Sequence, residues 1–280
     1  ANSLKFDCTT AQTTLDADDF IWFQTRIEGQ DLQRFAKGTS SAKNFTLSFY
    51  VKANSARTMV AELFDADNTR AVSRTFTTTT DWSRIEIDFG ADTTGAFGDD
   101  NALSLYCAIW LAAGSTYSGG TLQTSWVSST VANRAAGSSN FLSSTDNTLF
   151  ITGMQLEVGS VATEFEHRSF GEELALCQRY YQSIDTNSRT QAIGFGIRQT
   201  TNTVRFGIPT PVTLRADPSI TISGTVRCLE SDGDLTEMSS ISGLYTSNGY
   251  VVASGTATGV VQGSITLSAF GGTIQIDAEL

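Results

Sequence analysis

An all-β fold in two parts, joined by a single short helix, is what this sequence predicts. Three observations carry the prediction. Apolar and polar residues alternate with a period of two in segment after segment, the pattern of antiparallel strands with one buried face. Thr, Ser and Gly are abundant while 17% of residues are charged, a mix that suits short strands and tight turns. Helix-start chemistry and helical spacing coincide in residues 169–182. The expected layout is a two-sheet jelly-roll sandwich over residues 1–168, a linking helix over 169–182 and a smaller C-terminal β domain over 183–280. A chain of 280 residues with 40% apolar side chains has room for two cores.

The strands follow in order. Ile21, Phe23, Thr25 and Ile27 alternate with Trp22, Gln24, Arg26 and Glu28. Phe45, Leu47, Phe49 and Val51 alternate with Thr46, Ser48, Tyr50 and Lys52. Ile85, Ile87 and Phe89 alternate with charged residues. Leu103, Leu105, Cys107, Ile109 and Leu111 alternate with Ser104, Tyr106, Ala108 and Trp110. Turn-rich stretches separate them, such as Asp65-Ala66-Asp67-Asn68, which opens like a calcium loop but lacks its Gly and closing Glu and reads as a hairpin turn. For the helix, Ser169 and Glu172 have capping-box spacing, and Leu174, Cys177 and Tyr181 repeat at helical intervals. Its position between two β regions predicts a coupling element. Beyond it, Val204, Phe206 and Ile208 alternate until Pro209 and Pro211, and Ile220/Ile222, Ile265/Leu267 and Ile274/Ile276 mark further short strands.

Charge and cysteine usage narrow the function classes. A net charge of −11 repels phosphates and argues against a nucleic-acid partner. It equally opposes adsorption to anionic lipid, and no apolar run reaches the ~18 residues of a membrane helix, so no membrane insertion is expected. Cys8, Cys107, Cys177 and Cys228 are dispersed without metal-ligand spacing and read as free, buried thiols. The opening Ala1-Asn2-Ser3-Leu4-Lys5 has neither signal-peptide character nor an initiator Met, so the expectation is a piece of a longer polypeptide.

Catalysis finds little support in the residues. His167 is the single histidine, and it sits between Glu166 and Arg168, which favours a structural role. No G-x-S-x-G elbow is present, and Glu164 and Glu166 read as salt-bridge partners rather than a glycosidase pair. The aromatics say more. If the strands share a sheet, the face opposite the core carries Trp22, Gln24, Arg26, Tyr50, Lys52, Tyr106 and Trp110. Flat rings beside hydrogen-bonding groups suit sugar recognition, because rings cover the C–H faces of a pyranose while polar groups read its hydroxyls. The candidate carbohydrate-binding residues are therefore Trp22, Arg26, Tyr50, Tyr106 and Trp110, with Tyr117 at the rim. The competing expectation is that these rings pack under a loop, the second domain or a neighbouring subunit. Trp82 and Trp126 stand at strand edges and are expected in the core. Tyr245 and Tyr250 flank a Ser-Asn-Gly turn in the last domain and are candidate receptor contacts there.

The run from Gly153 to Tyr181 carries a resemblance. Gly153, Gln155-Leu156-Glu157-Val158-Gly159, Ala162-Thr163, Phe165-Glu166-His167-Arg168 and Glu172-Glu173-Leu174, with Leu176-Cys177-Gln178-Arg179-Tyr180-Tyr181, resemble a junction found in bacteriophage tail-fibre and related virion proteins. Upstream, Arg26-Ile27-Glu28-Gly29, residues 47–52, 92–95, 111–115 and 120–124 resemble the same group, whereas Leu214-Arg215-Ala216-Asp217-Pro218 and Asp277-Ala278-Glu279-Leu280 match loosely. The resemblance implies a carbohydrate-binding-module-like jelly roll followed by a C-terminal domain. It further implies a non-enzymatic virion component, assembled in the host cytoplasm and commonly homotrimeric. Its partners would be other virion proteins and a host surface polysaccharide or lipopolysaccharide. No cofactor is expected. Carbohydrate-binding sandwiches often carry a structural calcium, for which the sequence assigns no ligands. The alternative reading is a structural capsid, collar or baseplate component without glycan binding of its own. A polysaccharide depolymerase and a secreted bacterial binding module stand further off.

Overall fold

The computed structural model describes residues 2–185, 191–200, 202–229, 235–238, 240–247, 249–257 and 264–279. The protein is all-β. It divides into two compact units, residues 1–166 and 167–279.

The first unit is a jelly-roll sandwich. Its strands are β1 (Leu4–Asp7), β2 (Phe20–Glu28), β3 (Phe45–Ala53), β4 (Thr58–Asp65), β5 (Arg70–Thr77), β6 (Ser83–Asp88), β7 (Leu103–Ala113), β8 (Val127–Ser128) and β9 (Thr148–Val158). One sheet has the order β1-β9-β3-β6 and the other β2-β7-β4-β5-β8, with every pairing antiparallel. The alternating apolar residues do what their period dictates. Leu47, Phe49 and Val51 from one sheet meet Leu105, Ile109 and Leu111 from the other, all 0–1% exposed. Rings fill the centre: Phe35 stacks on Phe45 at 3.9 Å, and Trp126 lies 5.4 Å from Phe45. Trp126 is core, as expected. Trp82 is not. It is 46% exposed at the head of β6, where it meets the ring of Phe150 edge-on at 6.3 Å.

The junction motif has a physical role inside this unit. Gln155 and Glu157, both on β9, hold the chain that follows. Glu157 accepts from the Thr163 N–H at 2.6 Å and from the Thr163 hydroxyl at 2.7 Å. Gln155 Oε1 accepts from the Glu166 N–H at 2.8 Å, and Arg84 donates to the Thr163 carbonyl. Burial pushes the Glu157 carboxyl up, but the Thr163 and Gln155 hydrogen bonds and the Arg84 charge outweigh it and hold the group below its ordinary range.

The second unit begins with α3 (Phe170–Gln178); two single-turn helices precede it in the first unit, α1 (Gly29–Leu32) and α2 (Ser115–Ser118). The predicted capping box is present: Ser169 Oγ accepts from the Glu172 N–H, and Glu172 Oε2 accepts from the Ser169 N–H at 3.0 Å. None of its residues is buried, so Cys177 is an exposed thiol rather than the buried one its spacing implied. Cys8, Cys107 and Cys228 are buried thiols outside any disulfide, and burial pushes the Cys107 thiol up to about 12. Then come β10 (Tyr181–Asp185), β11 (Gln191–Thr200), β12 (Thr203–Pro209), β13 (Ser219–Leu229), β14 (Leu235–Glu237), β15 (Ser240–Ser247), β16 (Tyr250–Thr256) and β17 (Ser264–Asp277). They form one antiparallel sheet, β14-β13-β17-β11-β12-β16-β15, with β10 also on β17.

This sheet curls on itself. Asp217 ahead of β13 accepts from the Thr246 N–H on β15 at 2.7 Å, and a Cβ at Gly243 would lie 2.5 Å from the Pro218 carbonyl. Val204, Phe206, Ile208, Val251 and Ala253 pack inside the curl. The two loosely matched segments of the sequence meet here: Arg215 donates to the Ala278 carbonyl at 2.9 Å and the Glu279 carbonyl at 3.2 Å.

Candidate binding face

Strand register decides which of the predicted residues share a surface. Trp22 pairs with Trp110, Gln24 with Ala108 and Arg26 with Tyr106 across β2 and β7. Trp110 pairs with Val60, Ala108 with Glu62 and Tyr106 with Phe64 across β7 and β4. Three parallel rows therefore cross the outer face of the five-stranded sheet. Two are aromatic, and the middle one is small at Ala108. Tyr50 belongs elsewhere: β3 lies in the other sheet, where Tyr50 pairs with Arg84 and Thr152 and packs beside Gly153. Lys52 goes with it, so the expected single face is two faces. A period-two pattern tells which residues look outward, not which sheet they leave from.

The gap over Ala108 is filled by Arg134. Its guanidinium centre lies 4.6 Å from the Phe64 ring centroid, 5.2 Å from Trp22 and 5.3 Å from Trp110. It forks onto Glu62, Nε to Oε1 at 2.8 Å and Nη2 to Oε2 at 2.9 Å. Trp110 Nε1 donates to the same carboxylate at 3.0 Å. Glu62 is 0% exposed, and burial pushes its pKa up against the pull of Arg134 and Trp110. The segment carrying Tyr117, Leu122 and Ala135 packs over Trp110, which is also 0% exposed. Trp110 is thus an internal anchor and not a ligand-facing ring. A long outward indole is stable there because its N–H finds a carboxylate and its faces find other rings.

What remains open is narrower than the sequence implied. Phe20, 45% exposed, meets Trp22 and Tyr117 edge-on, each at 5.0 Å, and forms an accessible aromatic edge with these two half-buried rings. On the other side of Arg134, Tyr106 and Phe64 are half-buried at 5.9 Å from each other, with exposed Arg26 5.8 Å over the Tyr106 ring. The Gln24 side-chain oxygen between the rows is buried without a hydrogen-bond partner. Phe20, Phe64 and Arg134 escaped the sequence reading. Phe20 keeps step with Trp22, and Glu62 inside an apolar strand calls for a cation, so two of the three left a signal.

In the second unit, Tyr245 and Tyr250 are 48% and 54% exposed. Tyr245 pairs with Val252 and Tyr250 with Pro209. Phe195, 72% exposed, is opposite Gly207 in the same set of strands.

The fold and this face define a β-sandwich module bearing rings and guanidinium groups on an outer sheet face, followed by a curled β unit. No family model matches the chain, and no curated protein matches it. Among solved structures, the chain is similar to the N-terminal CBM22-1–CBM22-2 tandem domain from Paenibacillus barcinonensis Xyn10C, at 10% identity over 98% of this chain and 84% of that one, TM-score 0.26. It is also similar to the PBSX exported protein XepA, at 9% identity over 97% of this chain and 86% of that one, TM-score 0.19.

Proposed function

We propose that the chain is a non-catalytic glycan-binding component of a bacteriophage tail fibre. In this reading it contacts a host surface polysaccharide or lipopolysaccharide through the outer face of the five-stranded sheet. The observation that carries the proposal is the open row of Arg26, Tyr106 and Phe64 beside the Arg134 fork. Half-exposed rings offer a pyranose its C–H contact, and the exposed Arg26 guanidinium over Tyr106 adds positive charge beside them. The virion setting comes from the junction resemblance, and with it the expectation of a homotrimer. Three linked copies would turn weak single-site contacts into avid attachment.

A structural virion role is the second reading. Phe195, Ile197, Tyr245 and Tyr250 favour it, because large apolar side chains exposed on one curled sheet suit burial between subunits. The deciding experiment measures glycan and host-cell binding of the purified chain, with its molar mass by light scattering in the same samples. Tyr106→Ala and Arg26→Ala should each weaken binding roughly 5–30-fold, the loss of about 1–2 kcal/mol of ring or guanidinium contact, with folding intact. A trimer that binds neither cells nor glycans moves the assignment to the structural role.

A further inference from the structure

A buried ammonium needs oxygens around it. The Lys37 side chain is 0% exposed, and its Nζ lies 2.5 Å from Asp65 Oδ2 and 3.1 Å from Asp92 Oδ2. It also donates to the Thr94 carbonyl at 3.0 Å and the Gly95 carbonyl at 2.7 Å. The oxygens come from the last residue of β4 and from the loop after β6, and each carboxylate is held in place by other donors. Asp65 Oδ1 accepts from the Asn68 N–H at 3.0 Å, and Asp92 is forked by Arg70 at 2.8 and 3.0 Å. The backbone is bent to deliver the lysine: Ala36 and Gly38, on either side, both have positive φ, 48° and 80°. A non-glycine residue in that region is costly and persists where the surroundings demand it.

Two carboxylates and two carbonyls around one positive charge is the donor set a hard divalent cation takes. The structural calcium that the sequence resemblance brought into view does not fit beside it, since an ion among these oxygens would lie against the ammonium. We infer that Lys37 is the built-in cation of this sandwich: a tethered ammonium does the work of a metal ion, and deleting the amine opens a divalent-cation site. The carboxylates remain pinned by Asn68 and Arg70 when the amine goes, and the space left by the lysine stem admits water to complete the coordination.

The test uses the full chain as wild type, Lys37→Ala and Lys37→Met, each melted in EDTA, in millimolar calcium and in sodium chloride of equal ionic strength. Wild type should melt at one temperature in all three. Lys37→Ala should melt roughly 10 °C lower in EDTA and recover part of the loss in calcium alone. Lys37→Met fills the stem space and should not recover. The ring of Trp126 lies 5.4 Å from Nζ, so terbium bound in Lys37→Ala should emit on tryptophan excitation, and wild type should not light up. An EDTA-sensitive wild type, or a folded Lys37→Ala that ignores calcium and terbium, overturns the inference. If Lys37→Ala folds in neither buffer, reductive methylation of native wild type decides. Lys37 should stay unmodified while the exposed Lys5 reacts, and a reactive Lys37 overturns the inference.

Discussion

Removing one partner from the Glu62–Arg134 fork gives the sharpest test of how the binding face is built. Arg134→Met keeps an unbranched, apolar stem among Trp22, Phe64 and Trp110 but deletes both guanidinium bonds to Glu62. The carboxylate is left 0% exposed with Trp110 Nε1 as its remaining donor of the three. Breaking a buried pair from one side costs about 3–5 kcal/mol, and the 14% exposure of Arg134 places the expectation at the lower end. For a domain of this size that is a drop in Tm of roughly 6–12 °C. The pH dependence fixes the mechanism. Glu62 already has a raised pKa in the folded state, so folding favours its protonated form, and its contribution to stability declines as pH rises from 4.5 upward. Without Arg134 the folded pKa rises further, so the decline steepens and extends to higher pH. Adding Glu62→Gln removes the charge while keeping an acceptor for Trp110, and the double variant should recover to within about 1–2 kcal/mol of wild type. Urea unfolding followed by tryptophan fluorescence across pH reads all three. An Arg134→Met chain that loses under about 1 kcal/mol, with a wild-type pH slope, would refute the claim that this pair holds the face together.

Trp110→Ala should behave as a core deletion, destabilising the first unit by about 3–5 kcal/mol, whereas Tyr106→Ala should leave the melting curve nearly unchanged and alter binding. Comparing urea midpoints before any binding assay separates the two. Asp92 titrates in the opposite sense to Glu62. Burial raises its pKa, but the bonds from Arg70, the Thr94 N–H and Lys37 outweigh this and set it below 3.8, so its stabilisation is present above that value and is lost as pH falls through the lowered folded pKa. Asp92→Asn should therefore flatten the acid limb of a stability–pH profile. Gly153→Ala, at φ 59° with the Tyr50 ring 3.3 Å from the new methyl carbon, should cost about 1–2 kcal/mol by chemical denaturation. Glu157→Ala removes the acceptor for Thr163, and limited proteolysis should then cut within residues 159–166 faster than in wild type.

Alternation was a sound guide to strands and core because burial on one face leaves a period-two trace in any strand. The capping box at Ser169 was equally legible, since its spacing is its mechanism. The assignment of strands to sheets was not legible. Tyr50 and Tyr106 have the same local pattern, and register between distant strands, which separates them, is a property of the closed sandwich. The fate of Trp110 was hidden for a related reason. Its strand correctly reads as facing outward, but the segment that covers it has no periodicity of its own and is held by single contacts such as Arg134 on Glu62.

Charges inside apolar strands and turns are the traces such coverage does leave. Glu62 stands in Met59-Val60-Ala61-Glu62-Leu63-Phe64, where neighbours on both sides of the sheet are buried, so its carboxylate has to be met by a cation from outside the strand. Asp65 closes the same strand and is 0% exposed, which poses the same demand three residues on. The chain answers the first with Arg134 and the second with Lys37, residues 72 and 28 positions away. One answer covers the outer face with rings around a guanidinium, leaving Arg26, Tyr106 and Phe64 as its open row. The other closes the loop end of the sandwich with a lysine. Both long-range pairs are satisfied only when the two sheets and the covering segment are in register together, so a slipped arrangement would leave buried charges unpaired.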